Sequence, residues 1–155
     1  MSHDEALRAF EAGSLLGTSE WFPMKQSMFT EFEVLTKSND PLHTDPDWVR
    51  EHTRYPDTIA PGFLSLSLLP YLFAQLNVVP DGYHAVNYGL NKVRWVEPVP
   101  VGARVRARFN CLSRTDRKDN KPGYIVEFDV VLEIEDVDRP AMHAAWLGAI
   151  IPDTD

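Results

Sequence analysis

The chain carries one cysteine, Cys111, among 155 residues, which excludes an internal disulfide framework and fits a reducing compartment. Basic residues are the minority: 15 Lys and Arg stand against 23 Asp and Glu, for a net charge of −8. That balance argues against nucleic acid or an anionic membrane as the main partner. No stretch reaches the roughly 20 uninterrupted apolar residues of a membrane helix. Residues 1–10 have no apolar signal core, so the expectation is a cytoplasmic protein. A glycine-rich phosphate loop and a Gly-x-Ser-x-Gly elbow are absent as well. His52, His84 and His143 share no ligand spacing with one another or with Cys111, and neither a metal nor a redox cofactor is implied. What is present, 44% hydrophobic and 11% aromatic residues without repeat or linker, is the make-up of one globular domain over 1–155.

The two halves of the chain read differently. In the first half, residues 4–12 form a short helix closed at Gly13, and residues 17–24 form an extended segment in which Pro23 marks an edge. Met28, Phe29, Phe32 and Leu35 recur at helical spacing over residues 27–36. A turn follows through Asn39, Asp40 and Pro41. Asp45-Pro46-Asp47-Trp48 then supplies an N-cap, a proline at the first helical position and an acidic first turn, for a helix ending near Thr53. Residues 62–76 are apolar nearly all round, which predicts one long helix buried on most sides, with a bend or break at Pro70.

The second half alternates. Val105, Ala107, Phe109 and Cys111 share one face opposite Arg104, Arg106, Arg108 and Asn110. Val126, Phe128, Val130, Leu132 and Ile134 lie opposite Glu127, Asp129, Glu133 and Glu135. Period two is the mark of half-buried strands, and the polar connection over residues 113–123 joins these two into a hairpin. Residues 83–95 and 141–151 supply further strands. The layout is α+β, with a long antiparallel sheet wrapped around a central buried helix. Arg104, Arg106 and Arg108 could form a phosphate-binding stripe, but the acidic face of the neighbouring strand favours cross-strand pairing.

Chemistry concentrates in Ser38-Asn39-Asp40-Pro41-Leu42-His43-Thr44-Asp45 and in Ala60-Pro61-Gly62-Phe63. The first places an imidazole and small polar groups on a turn. The second opens the apolar helix, whose first backbone N–H groups have no partner within the helix. A histidine able to move protons beside donors able to hold a developing oxyanion is an acid/base arrangement. The plainer readings are a structural histidine and an ordinary helix start.

Several runs carry a family resemblance: Gly17-Thr18-Ser19-Glu20-Trp21, Phe32 and Thr36, Pro41-Leu42-His43-Thr44-Asp45-Pro46, Ile59-Ala60-Pro61-Gly62-Phe63, and Asn87-Tyr88-Gly89-Leu90-Asn91-Lys92-Val93-Arg94-Trp95 leading into Pro98-Val99-Pro100-Val101-Gly102. In this order and over nearly the whole chain they resemble the MaoC-like acyl dehydratases, in the branch related to the nodulation protein NodN. The resemblance implies a hot-dog fold, a homodimer, and interconversion of trans-2-enoyl and (R)-3-hydroxyacyl thioesters bound to coenzyme A or a carrier protein. It assigns His43 to acid/base catalysis and the backbone of Gly62, after Pro61, to the thioester oxygen, with Asn87, Tyr88 and Arg94 on the substrate side. The family's aspartate, five residues before the histidine, is Ser38 here. Lys37 precedes it where glycine is usual, and Asp40 stands where Asn or Gln is usual.

Three readings follow from that substitution. Asp40 takes over the carboxylate role with Ser38 positioning water; or His43 works alone on a more activated, small carbonyl substrate; or the domain binds an acyl ligand without chemistry. A hot-dog thioesterase is the alternative enzyme.

Overall fold

The computed structural model describes residues 10–118 and 121–153. Most of the helix expected over residues 4–12 lies outside the described residues. Its described end is a turn leading to Gly13 at φ 87°, a backbone conformation that favours glycine.

Among the described residues, six strands form one antiparallel sheet: β1 (Leu15–Thr18), β2 (Phe22–Pro23), β3 (Tyr83–Trp95), β4 (Arg104–Asp116), β5 (Tyr124–Ile134) and β6 (Met142–Pro152). The order is β1-β4-β5-β6-β3, and β2 also pairs with β4. The alternation read from the sequence places the core. Val105, Ala107, Phe109 and Cys111 of β4 are fully buried, and they lie opposite Ile134, Leu132, Val130 and Phe128 of β5. On the other face Arg106 Nε lies 2.7 Å from Glu133, Arg108 3.9 Å from the same carboxylate, and Arg104 pairs with Glu135. The arginine stripe is thus cross-strand pairing. The hairpin connection is shorter than the expected 113–123: past a bulge between Cys111 and Ser113 the strands go on pairing out to Asp116 and Tyr124.

Among the described residues, five short helices pack on the inner face or beside it: α1 (Gln26–Thr36), α2 (Pro41–Thr44), α3 (Pro46–His52), α4 (Gly62–Ser67) and α5 (Leu69–Ala74). α3 begins as read, with the Asp45 carboxylate accepting from the N–H groups of Asp47 and Trp48 at 3.1 and 3.0 Å. The long apolar helix over residues 62–76 is broken next to Pro70 into α4 and α5, which meet at Leu68. Pro70 has no N–H and sits in the first turn of α5, where a missing donor costs nothing.

The pair is also less enclosed than its all-round apolar sequence suggests. Phe63 and Tyr71 are 66% and 54% exposed, while Leu64, Leu69, Leu72 and Phe73 are buried. Phe73 holds α5 on the sheet, with ring centroids 5.3, 5.0 and 5.5 Å from Phe109, Phe128 and Trp146. Burial of such a ring contributes about 1.5–3 kcal/mol. A sheet curled over a central helical segment is the hot-dog arrangement, and it leaves both β3 and the start of α4 at one margin.

Candidate active site

The site begins with a buried carboxylate. Glu33, on α1, is 2% exposed. Its Oε2 accepts from the Asp40 N–H at 2.9 Å, and its backbone oxygen accepts from the Ser38 N–H at 3.2 Å. Between them Lys37 and Asn39 take left-handed backbone conformations, at φ 58° and 54°. These contacts fold residues 37–40 into a tight reversal and deliver Asp40 to the N-cap of α2. There its carboxylate accepts from the Leu42 N–H at 2.9 Å. His43 therefore lies on a short capped helix rather than on the turn that the sequence suggests.

The imidazole is fixed from the far side. Nδ1 of His43 is 2.8 Å from the backbone oxygen of Ile59. A carbonyl can only accept, so Nδ1 carries the proton in this bond and the neutral ring offers Nε2 as a free lone pair. Gln26 clamps the same region. Its amide donates to the His43 oxygen at 2.8 Å, and its own oxygen accepts from the hydroxyl of fully buried Thr58 at 2.5 Å. One amide thereby ties α1 to α2 and to the segment before α4.

His43 and Gly62 line one cavity of about 270 Å³, together with Ile59, Ser65, Trp95 and Glu97. Gly62 opens α4 after Pro61 at the N-cap, so its N–H has no acceptor inside the helix. Trp95 packs on it: the indole N–H donates to the Gly62 oxygen at 2.8 Å, and a Cβ at position 62 would lie 3.0 Å from the ring. A histidine with a free Nε2 and a helix-start N–H across one cavity can move a proton and hold a developing oxyanion.

The other expected residues lie elsewhere. Ser38 and Asp40 do not line this cavity. Asn87 accepts from the Trp146 indole at 3.1 Å and lines a second cavity of about 350 Å³ further along α4, beside Leu66, Ser67 and Leu90. Tyr88 sits where the β3 register shifts and is 63% exposed, beside the β4–β5 connection. Arg94, paired in register with His143, is exposed and flanked by Val93 and Trp95 on the alternate side. Sequence reasoning passed over Glu33, Gln26, Ser65 and Glu97. Ser65 follows Gly62 at i+3, a spacing that shares one helix face, and Glu97 is the one charged residue between Trp95 and Gly102. Cys111 lies outside the site. Burial pushes its thiol up, which keeps it protonated and unreactive.

Sheet, helix and site together define a hot-dog domain of the hydratase and dehydratase kind. Residues 9–130 match the MaoC like domain, and the chain belongs to that family. It is 34% identical over 139 residues to Nodulation protein N of Rhizobium leguminosarum bv. viciae, covering 89% of this chain and 85% of the relative. It is 37% identical over 136 residues to 3-hydroxyacyl-thioester dehydratase Z of Mycobacterium tuberculosis, covering 88% of each. Among solved structures, a MaoC-like dehydratase from Rhodospirillum rubrum superposes with a TM-score of 0.77 at 15% identity, covering 96% of this chain and 97% of that one. The (R)-hydratase from A. caviae involved in PHA biosynthesis gives 0.68 at 21% identity, covering 95% and 99%.

Proposed function

We propose that this protein is a hydro-lyase that adds water to, or removes it from, the α,β position of an acyl thioester, with His43 as the acid/base. The observation that carries this reading is the shared cavity: Nε2 of His43 has its lone pair available because Ile59 holds Nδ1, and the start of α4 at Gly62 faces the same space. On hydration, the water oxygen bonds the β-carbon as its proton passes to Nε2. The π electrons move onto the thioester oxygen, which the Gly62 N–H stabilises. The imidazolium returns the proton to the α-carbon, and dehydration runs the same steps backwards.

Asp40 serves this chemistry by capping α2, and Ser38 by completing the reversal that presents it. The thioester class is supported by the relative named a 3-hydroxyacyl-thioester dehydratase. The second cavity, walled by Leu66, Leu90 and Trp146 with Asn87 at its side, suits an acyl chain continuing along α4. A homodimer accounts for the edge strand β3, which exposes Val86, Tyr88 and Leu90: an unpaired edge of that length is a template for a second copy. A cytoplasmic location is part of the same proposal. No helix of the described residues is long and apolar enough to cross a membrane.

The test is hydration of trans-2-enoyl-CoA substrates of several chain lengths by the wild-type protein, with free thiol followed in parallel. Hydration to a 3-hydroxyacyl product without thiol release is expected. Thiol release alone would make the protein a thioesterase. Inert, folded protein across the whole series would leave a ligand-binding domain.

A further inference from the structure

The cavity around His43 has one acidic residue among its described lining residues, and it is not Asp40. It is Glu97. We infer that Glu97 is a catalytic residue of this site, the carboxylate that holds the reacting water against His43. The inference deepens the hydro-lyase reading and rests on it.

The backbone around Glu97 is pinned on both sides to the site itself. The Val96 N–H donates to Ala141 at 2.8 Å, and the Val99 oxygen accepts from the Ala60 N–H at 2.8 Å, two residues before Gly62. Pro98 restricts Glu97 to extended conformations, so the segment between those anchors has little freedom. The side chain is 28% exposed and forms an ion pair with Arg139, Nη1 to Oε1 at 2.6 Å. That pair occupies one carboxylate oxygen and leaves Oε2 to accept from a water. A carboxylate on a rigid segment, with one oxygen anchored and one free, is what orienting a small nucleophile calls for.

In the addition, one hydrogen of the water is held by Glu97 and the other by Nε2 of His43. The O–H bond to His43 breaks as the oxygen–β-carbon bond forms. The electron pair of the alkene reaches the thioester oxygen, and the imidazolium formed is stabilised by the negative charge of Glu97 across the cavity. Its proton then goes to the α-carbon. Every proton and electron pair is accounted for without a further reagent. The carboxylate reaches the site from the segment after β3 instead of from the loop before α2, so the serine at position 38 does not leave the site without one.

The experiment measures kcat and KM for enoyl-CoA hydration in wild type, His43→Ala, Glu97→Gln, Glu97→Asp and Arg139→Gln, with urea unfolding of each. Formate is added to Glu97→Ala as a free carboxylate. Glu97→Gln should lower kcat about a hundredfold with KM little changed, the size usual for a general acid/base contribution. Glu97→Asp should recover part of the loss, and formate should partly rescue Glu97→Ala. Arg139→Gln, which removes the ion pair but keeps the carboxylate, should cost far less. If Glu97→Gln keeps wild-type kcat, or loses no more than Arg139→Gln and formate rescues nothing, the inference is overturned while a His43-dependent hydratase stands. Folded wild type without hydration would overturn the underlying reading and this inference with it.

Discussion

The sheet and the site segment of this protein are held together in opposite ways. Between Arg104 and Pro152 three long strands turn an apolar face inward, two of them (β4 and β5) with charged residues outward, and many equivalent ladder bonds and buried side chains share the load. Between Gln26 and Gly62 the chain has short helices and tight turns. A few single polar contacts position it: Glu33 to the Asp40 N–H, Gln26 to the His43 oxygen and Thr58, and Ile59 to the imidazole. Stability is concentrated in the first region and geometry in the second. Substitutions in the sheet should therefore change folding free energy, and substitutions in the site segment should change rate.

The largest effect belongs to the core. Phe109→Ala removes a fully buried ring that packs on Phe73 and should destabilise the protein by about 3–5 kcal/mol, read by urea or thermal unfolding, with kcat unchanged in the fraction that stays folded. Gly62→Ala comes next, because its Cβ would press on Trp95 at 3.0 Å. It should cost about 1–3 kcal/mol as overpacking does and lower kcat as well, since the same residue carries the N–H proposed to hold the oxyanion. Gln26→Ala sharpens the comparison. The clamp on His43 and Thr58 disappears, with an expected loss of about 1–3 kcal/mol for stranded polar groups and a disproportionate fall in kcat from the shifted imidazole. A fall in stability alone would place Gln26 with the sheet residues. Arg106→Ala breaks an outer-face pair with Glu133 that is partly solvent-screened and worth under about 1 kcal/mol. Activity should not respond. Cys111, buried and with its thiol pushed up by that burial, should resist a thiol reagent at neutral pH until the protein unfolds.

The same contrast decides what could be read from the chain. Strand alternation is a periodic signal, and Val105 to Cys111 and Val126 to Ile134 declare their faces without any knowledge of partners. The Asp45-Pro46 cap is local and equally legible. The break in the apolar helix was foreseen at Pro70, but its exposure was not. A sequence records that Phe63 and Tyr71 are apolar, not that one sheet is too small to cover both sides of α4 and α5. The register shifts at Tyr88 and Asn91 are invisible for a similar reason, since they follow from β3 outrunning β6.

At the site, the resemblance marks His43 and Gly62, and the fold brings both to the lining of one cavity. Glu33 and Gln26 were not. Each reads as an ordinary polar residue of an amphipathic helix, and only the folded reversal at residues 37–40 gives it a backbone group to hold. Glu97 reaches the His43 cavity through a sheet pairing and an isolated bridge between Ile59 and Pro100, far apart in the chain.

The central claim is that His43 carries the proton chemistry. It is tested most directly by kcat for crotonyl-CoA hydration in wild type and His43→Ala, with matched unfolding curves. A loss of about 100- to 10,000-fold at unchanged stability is predicted, and activity kept within about threefold would contradict the account.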